Sequence, residues 1–247
     1  MKRYEGSFAC LTDRGRVRLT NEDQATALTN ERGDVLLVVC DGMGGNKKGG
    51  YASKTAIESI VDSFSRRSRV LFPARFLNAA IKKANRAIFL EGDGDPSYQG
   101  MGTTLVAALI TKNKLVVANV GDSRCYSYSR AQGLKRLTRD QTYVDYLVRT
   151  GKVDKEKTAA HPDRHVLMNA LGIYPTASMD IDTLDYHGES LLLCSDGLYN
   201  NLSDPEIRAI LQTDDRPDQK ARSLIIDANN NGGSDNIGVA YWEAFHD

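Results

Sequence analysis

The chain has 247 residues, of which 41% are hydrophobic, and its 32 basic side chains are matched by 32 acidic ones. That length suits one large domain or two small ones with a sizeable core, and the charge balance gives no long-range pull toward nucleic acid or an anionic membrane. The first ten residues have no apolar run behind their basic pair, so they are not a secretory signal, and nothing approaches the roughly 18 apolar residues of a membrane span; a cytoplasmic protein is expected.

In chain order, residues 5–11 alternate weakly, and residues 35–40 (VLLVVC) form the first near-continuous apolar run with strand character. A helix is expected over 51–64, where Ala52, Ala56, Ile60 and Phe64 recur at i, i+4 spacing. Arg66, Arg67 and Arg69 read as its solvated end. Pro73 opens a second helix over 74–90, with Leu77, Ile81, Ala84 and Ile88 on one face. Strand-like runs follow at 104–110 and 115–120, with weaker alternation at 124–129. Residues 141–174 are the most polar and irregular and read as a surface insertion. Residues 190–195 form another strand. Ser203-Asp-Pro-Glu206 is a capping-box pattern ahead of Ile207, Ile210 and Leu211. A last helix over 220–228 and a strand over 237–242 close the chain. This order is not a regular βαβ alternation and points to strands packed on strands with helices outside. Cys10, Cys40, Cys125 and Cys194 have no CxxC spacing and read as reduced core residues.

Four apolar strands each carry an aspartate at one end: Asp41 after VLLVVC, Asp122 after LVVANVG, Asp196 after LLLCS and Asp235 before NIGVAYW. A single Asp-Gly pair is usually only a turn. Four strand-end carboxylates at one sheet edge would repel each other, and an ion usually compensates. Oxygen ligands without clustered His or Cys favour a hard cation, Mg²⁺ or Mn²⁺. Arg18 precedes Glu22 and Asp23 closely; beside a metal site its guanidinium offers a planar fork for phosphate. Ser195 has no GxSxG elbow and does not read as a nucleophile. Gly42–Gly45 lacks the GK[ST] ending of a Walker loop. Lys47 and Lys48 read either as solvated charges or as attractors of phosphate, and His161, His165 and His187 as polar surface residues.

Eight segments in order resemble the metal-dependent protein phosphatases of type 2C, the PPM family, in its compact bacterial form. They are GRVRLTNED (15–23), VVCDGMGG (38–45), GTTLVAA (102–108), NVGDSR (119–124), LTRDQT (137–142), HPDRHVLMNALG (161–172), LLLCSDGLYN (191–200) and SDNIGVAYW (234–242). The resemblance implies one α+β domain over 1–247, a four-layer αββα sandwich of two antiparallel sheets flanked by helices, with a flap at about 141–174. It implies two Mn²⁺ or Mg²⁺ ions bridged by Asp41, with the Gly42 carbonyl on one and Asp196 and Asp235 on the other. Glu22 and Asp23 would act through metal-bound water, Arg18 would bind substrate phosphate, and Asp122 with Asp196 would hold a weaker third ion. The implied enzyme is a monomeric serine/threonine phosphatase acting on phosphorylated proteins and opposing a Ser/Thr kinase, without nucleic acid or membrane.

The chain departs from the family at three places. Met43 and Asn46 stand where relatives carry a histidine, Gly50 where many carry Glu, and Asn200 where some carry an Asp that supports the third ion. Leaving-group protonation then falls either to water held near Asp122 or to a flap histidine, with His161 ahead of His165. Two rival functions are a degenerate phosphoprotein-binding module, against which Asp41, Asp196 and Asp235 all stand, and a small-molecule phosphomonoesterase, which comparative turnover of peptide and sugar phosphates separates.

Overall fold

The computed structural model describes residues 4–45, 48–154, 157–158 and 161–245. Strand β3 (Val35–Met43) shows how the sequence makes the layers. Successive side chains of a strand face opposite ways. Leu36, Val38 and Cys40 pack against helices, while Val35, Leu37 and Val39 pack against a second sheet. Both faces are covered, so the run is apolar at every position instead of every other one.

The first sheet has the order β2-β3-β5-β6-β9, formed by β2 (Asp23–Thr29), β3, β5 (Leu105–Thr111), β6 (Lys114–Val120) and β9 (Asp180–Asp185); the two-residue β4 (Gly102–Thr103) joins the end of β3. The second has the order β1-β11-β10-β7-β8, formed by β1 (Gly6–Asp13), β7 (Arg124–Ser129), β8 (Gly133–Arg136), β10 (Ser190–Cys194) and β11 (Ile237–Ala244). Every pairing is antiparallel. Helices α1 (Lys48–Ser65) and α2 (Pro73–Gly94) cover the outside of the first sheet. The outside of the second is covered by α4 (Asp196–Tyr199), α5 (Asp204–Leu211) and α6 (Pro217–Asn230). The expected αββα sandwich is therefore the observed one.

Between the sheets Trp242 is buried with its polar atom satisfied: Nε1 donates to the Tyr186 hydroxyl (2.8 Å), which donates to the Glu189 carbonyl (2.8 Å). On the first sheet's outer face, Ala52, Ala56, Ile60 and Phe64 of α1 meet Leu77, Ile81, Ala84 and Ile88 of α2 in one core, as the i, i+4 spacing requires.

Apart from the two-residue β4, three strands escape the sequence pattern. β2, β8 and β9 lie at sheet edges, and β9 has no buried residue. α6 begins at Pro217, ahead of the expected start at 220, because Pro217 occupies the first helical turn where its missing N–H costs nothing. All four cysteines are free, and Cys40, Cys125 and Cys194 are buried as expected. Cys10 is partly buried on the edge strand β1, packs against the core between the sheets, and has its thiol pushed up to about 12 by that burial. No helix among the described residues is long and apolar enough to cross a membrane.

Candidate active site

Strands of both sheets end around one cavity of about 910 Å³, and Arg18, Glu22, Asp41, Gly42, Asp122, Asp196 and Asp235 all line it. Asp23, also named from the sequence, lies beneath it, fully buried and paired in register with Asp41 across β2 and β3. Asp41 ends the apolar run of β3, Asp122 follows β6, Asp196 opens α4 after β10, and Asp235 immediately precedes the turn into β11.

Two glycines permit this convergence. A Cβ on Gly42 would overlap the Gly49 carbonyl at the start of α1, and one on Gly197 would overlap the Asn236 carbonyl. Only glycine allows these backbones so close. Uncharged side chains hold the frame. Thr104 Oγ1 accepts the Asp41 N–H (3.0 Å) and lies 2.7 Å from Ser123 Oγ. Ser195 Oγ donates to Asp23 Oδ2 (2.6 Å) and accepts the Gly238 N–H (2.8 Å). Asn236 accepts the Glu22 N–H (2.9 Å) through Oδ1, while its amide donates to the Arg14 and Thr20 carbonyls (2.9 and 2.8 Å). Ser53 Oγ donates to the Glu22 carbonyl (2.6 Å).

The electrostatics are those of anions crowded out of water. Burial, followed by the Ser195 hydrogen bond that partly offsets it and by neighbouring carboxylates, leaves Asp23 at about 8. Burial and the surrounding aspartates raise Asp41 well above the carboxylate range. Asp122 is pushed up to about 7 and Asp196 to about 6, again by burial first and a carboxylate neighbour second. Glu22 Oε1, Asp23 Oδ1 and Asp196 Oδ1 are buried without a hydrogen-bond partner. Arg18 meets Asp235, its Nη2 lying 2.6 Å from Oδ2.

Orphaned carboxylate oxygens around an open cavity suit hard divalent cations. Among the described residues no three His, Cys, Asp or Glu side chains are gathered closely enough to hold an ion by themselves.

His165, not His161, is the flap histidine at the site. It lines the cavity with Nδ1 3.9 Å from Asp196 Oδ2, and burial with the adjacent Arg164 lowers its pKa. The His161 Nδ1 accepts the Asp163 N–H (3.1 Å), and His187 lies in the β9–β10 turn with its N–H on Glu189. Arg164 also lines the cavity. Lys48 turns its Nζ to the Gln99 carbonyl (3.3 Å), while Asn46 and Lys47 lie outside the described residues. The Asn200 amide donates to Asp196 Oδ2 (3.0 Å), so the side chain that replaces a carboxylate still orients one. Beside Asp122, the Tyr199 hydroxyl donates to its carbonyl (3.1 Å), and the Arg124 guanidinium lies 3.4 Å above the Tyr199 ring while pairing with Asp140. Sequence reasoning missed Thr104, Ser195 as a support, Asn236 and Tyr199, because a buried hydroxyl or amide carries no periodic signal. The adjacency of Ser195 and Asn236 to the predicted aspartates was the one available hint.

A two-sheet sandwich with carboxylates gathered at one strand-end edge defines a class of metal-binding phosphoester hydrolases. Residues 13–221 match the family described as Protein phosphatase 2C, and the chain belongs to that family. It is 38% identical over 232 residues to the serine/threonine phosphatase stp of Listeria welshimeri, covering 92% of each chain. It is 34% identical to the protein phosphatase PhpP of Streptococcus pneumoniae, covering 94% of this chain and 95% of that one. The catalytic domain of the serine/threonine protein phosphatase PstP, solved in complex with two manganese ions, superposes with a TM-score of 0.86 at 32% identity, covering 98% and 99% of the two chains. The chain is thus a protein serine/threonine phosphatase, which sets aside the reading of a catalytically dead binding module.

Proposed function

We propose that the enzyme hydrolyses phosphoserine and phosphothreonine in proteins by direct attack of water at a pair of Mn²⁺ or Mg²⁺ ions, without a covalent phosphoenzyme. The observation that carries this reading is the convergence of Asp41, Asp196 and Asp235 on one cavity, with buried carboxylate oxygens left unpartnered. Asp41 would bridge the ions, the Gly42 carbonyl would serve one, and Asp196 and Asp235 the other; Asp122 with Asp196 would hold a weaker third. When bound, such ions lower the pKa of a coordinated water and polarise the phosphoryl oxygens.

The chain's own residues do the rest. Glu22, fixed through its backbone by Asn236 and Ser53, presents acceptor oxygens in the cavity wall, and Asp23, fixed by Ser195, does so beneath it; both would orient water there. Arg18 has a half-exposed side chain able to swing from Asp235 to an incoming phosphate, trading one anion for another. Its planar fork matches two phosphate oxygens. The described residues of the 141–174 segment flank one side of the cavity as a flap, with Arg164 and His165 lining it. Ser195 is no nucleophile, being fully buried with both hydrogen-bonding directions occupied. The manganese-bound PstP domain and the stp and PhpP relatives support the cofactor and the substrate class. We place the enzyme in the cytoplasm, as a monomeric single domain opposing a Ser/Thr kinase.

The test is turnover of a phosphothreonine peptide beside sugar phosphates and nucleotides, with Mn²⁺ and then with EDTA. Peptide turnover that needs the metal, without matching turnover of the small phosphates, is expected. Full activity in EDTA would refute the metal mechanism, and preference for a sugar phosphate would favour a small-molecule phosphomonoesterase.

A further inference from the structure

The even total charge conceals a local imbalance. Residues 63–90 contain seven Arg and Lys side chains and no Asp or Glu, so the rest of the chain carries an acidic excess of seven. The fold gathers the seven cations on one side. Arg66 and Arg67 follow α1, Arg69 lies in the turn, and Arg75, Lys82, Lys83 and Arg86 project from α2; all are exposed. Arg75, Lys82 and Arg86 stand at i, i+7 and i+11, one stripe of the helix, away from the buried Leu77, Ile81, Ala84 and Ile88. Arg66 and Lys83 share Asp62. The other five form no ion pair among the described residues. Glu31 and Arg32, exposed in the neighbouring β2–β3 turn, offset each other.

Leu71 and Phe72 stand side by side at the apex of this side, 67% and 65% exposed. The Arg75 guanidinium lies 5.6 Å from the centre of the Phe72 ring. Their exposure belongs to a built turn. Val70 beside them is buried, its N–H held by Asp34 Oδ2 (2.8 Å), and the Ser68 carbonyl accepts the Arg32 N–H (3.2 Å).

We propose that this face docks the enzyme on a bilayer surface rich in anionic phospholipid, with Leu71 and Phe72 entering the interface and the unpaired arginines and lysine meeting headgroup phosphates. An apolar tip joined to a polybasic stretch is the combination that holds proteins on such surfaces. Lipid suits the geometry better than an acidic protein segment does. The apolar pair is exposed on the turn between two helices, and a bilayer accepts exposed apolar side chains where a protein would need a matching pocket. From Arg75 to Arg86 the cations span about 16 Å of helix instead of converging on one anion. The catalytic cavity lies by the N-terminal end of α1 and the Leu71–Phe72 tip follows its C-terminal end, about 27 Å away along an 18-residue helix. Docking therefore leaves the mouth open to phosphoproteins at the membrane.

The test is co-sedimentation of the full chain with vesicles of phosphatidylcholine alone or with roughly a third phosphatidylglycerol. Partition onto the anionic vesicles should be at least about tenfold greater and should collapse at high salt. Combined Arg67→Glu, Arg69→Glu and Arg75→Glu should abolish it, and Leu71→Ser with Phe72→Ser should lower it several-fold without changing charge. Both variants should keep wild-type turnover of a soluble aryl phosphate, which certifies their fold. Equal partition onto neutral vesicles, or anionic binding that survives charge reversal, would overturn the proposal. So would capture of polyglutamate or RNA by the same arginines while vesicles are ignored, which would assign the face to an acidic macromolecule.

Discussion

Arg18 and Asp235 form an ion pair at the mouth of the cavity, and the proposed chemistry asks the arginine to leave it. The guanidinium is the cation now touching the carboxylate cluster, and substrate binding would move it to phosphate. Arg18→Ala should therefore lower kcat/KM by about 1.5–3 kcal/mol, the worth of a charge-assisted hydrogen bond, and Lys should restore little because it lacks the fork. Steady-state kinetics that match wild type in the Ala variant would remove Arg18 from the site. Ser195 offers a second residue-level test. Ser195→Ala strands a buried N–H and an Asp23 oxygen, a loss of about 2 kcal/mol or more of stability, and it should reduce turnover without abolishing it; complete loss in a folded variant would revive the nucleophile. His165 bears on leaving-group protonation, since Met43 cannot donate a catalytic proton. If water near Asp122 supplies the proton, Asp122→Ala slows a phosphothreonine peptide far more than an aryl phosphate, whose leaving group departs unaided, by up to about 10²–10⁴-fold. If His165 supplies it, His165→Ala shows that pattern and Asp122→Ala does not. The aspartates were legible in sequence because a charged residue at the end of an apolar run is conspicuous. Their hydroxyl and amide supports were not, because Thr104 and Asn236 acquire a role only when distant strands meet.

Elements differ in legibility for the same kind of reason. β3, β5 and β11 are covered on both faces and announce themselves as continuous apolar runs. β9 (DIDTLD) sits at an edge, pairs only with β6 and turns only Ile181 partly into the core, so its sequence has little obligation to look like a strand. The αββα order followed from family resemblance more than from pattern, since two stacked sheets and one mixed sheet leave similar runs. The flap is rooted by Gln141: its Oε1 accepts the Gly121 N–H (2.9 Å) and the Asn169 amide (2.7 Å), and its Nε2 donates to Asp180 (2.9 Å). Between those roots, α3 (Tyr143–Arg149) is capped by Thr142, whose Oγ1 accepts the Asp145 N–H (3.2 Å). Loops on a rigid scaffold usually carry specificity. Substitutions on the outer flap, such as Tyr146→Ala or Arg149→Ala, should shift kcat/KM among phosphopeptides and spare a small aryl phosphate. Gln141→Ala, which unties the root beside Asp122, should impair both substrates. Equal responses of both substrates to the outer substitutions would make the flap part of the catalytic frame.

At the scale of the whole molecule, the sandwich brings mutually repelling carboxylates together from strands of both sheets, and that arrangement opposes folding. Active sites commonly trade stability for function in this way. Asp41 is at the centre of the conflict, raised by burial and then by Asp23, Asp196, Asp122 and Asp235 in turn. Asn at position 41 keeps the shape, can still donate a hydrogen bond to Asp23, and stays neutral without the proton that burial forces on Asp41. In chelator, Asp41→Asn should therefore melt at a higher temperature than the wild type. With Mn²⁺ the order should reverse. A ligand bound only by the native state stabilises it by about 2.7 kcal/mol at one hundred times its Kd. For a chain of this size that raises Tm by about 5–10 °C. The variant, lacking the carboxylate proposed to hold the ions, should gain only a fraction of that rise. Calorimetric scans of the two proteins with and without Mn²⁺ decide the matter. A variant that melts below the wild type in chelator would mean that the Asp41 carboxylate supports the fold through its hydrogen bonds more than it strains it. An equal Mn²⁺ shift in both proteins would mean that the ion sits elsewhere than on Asp41.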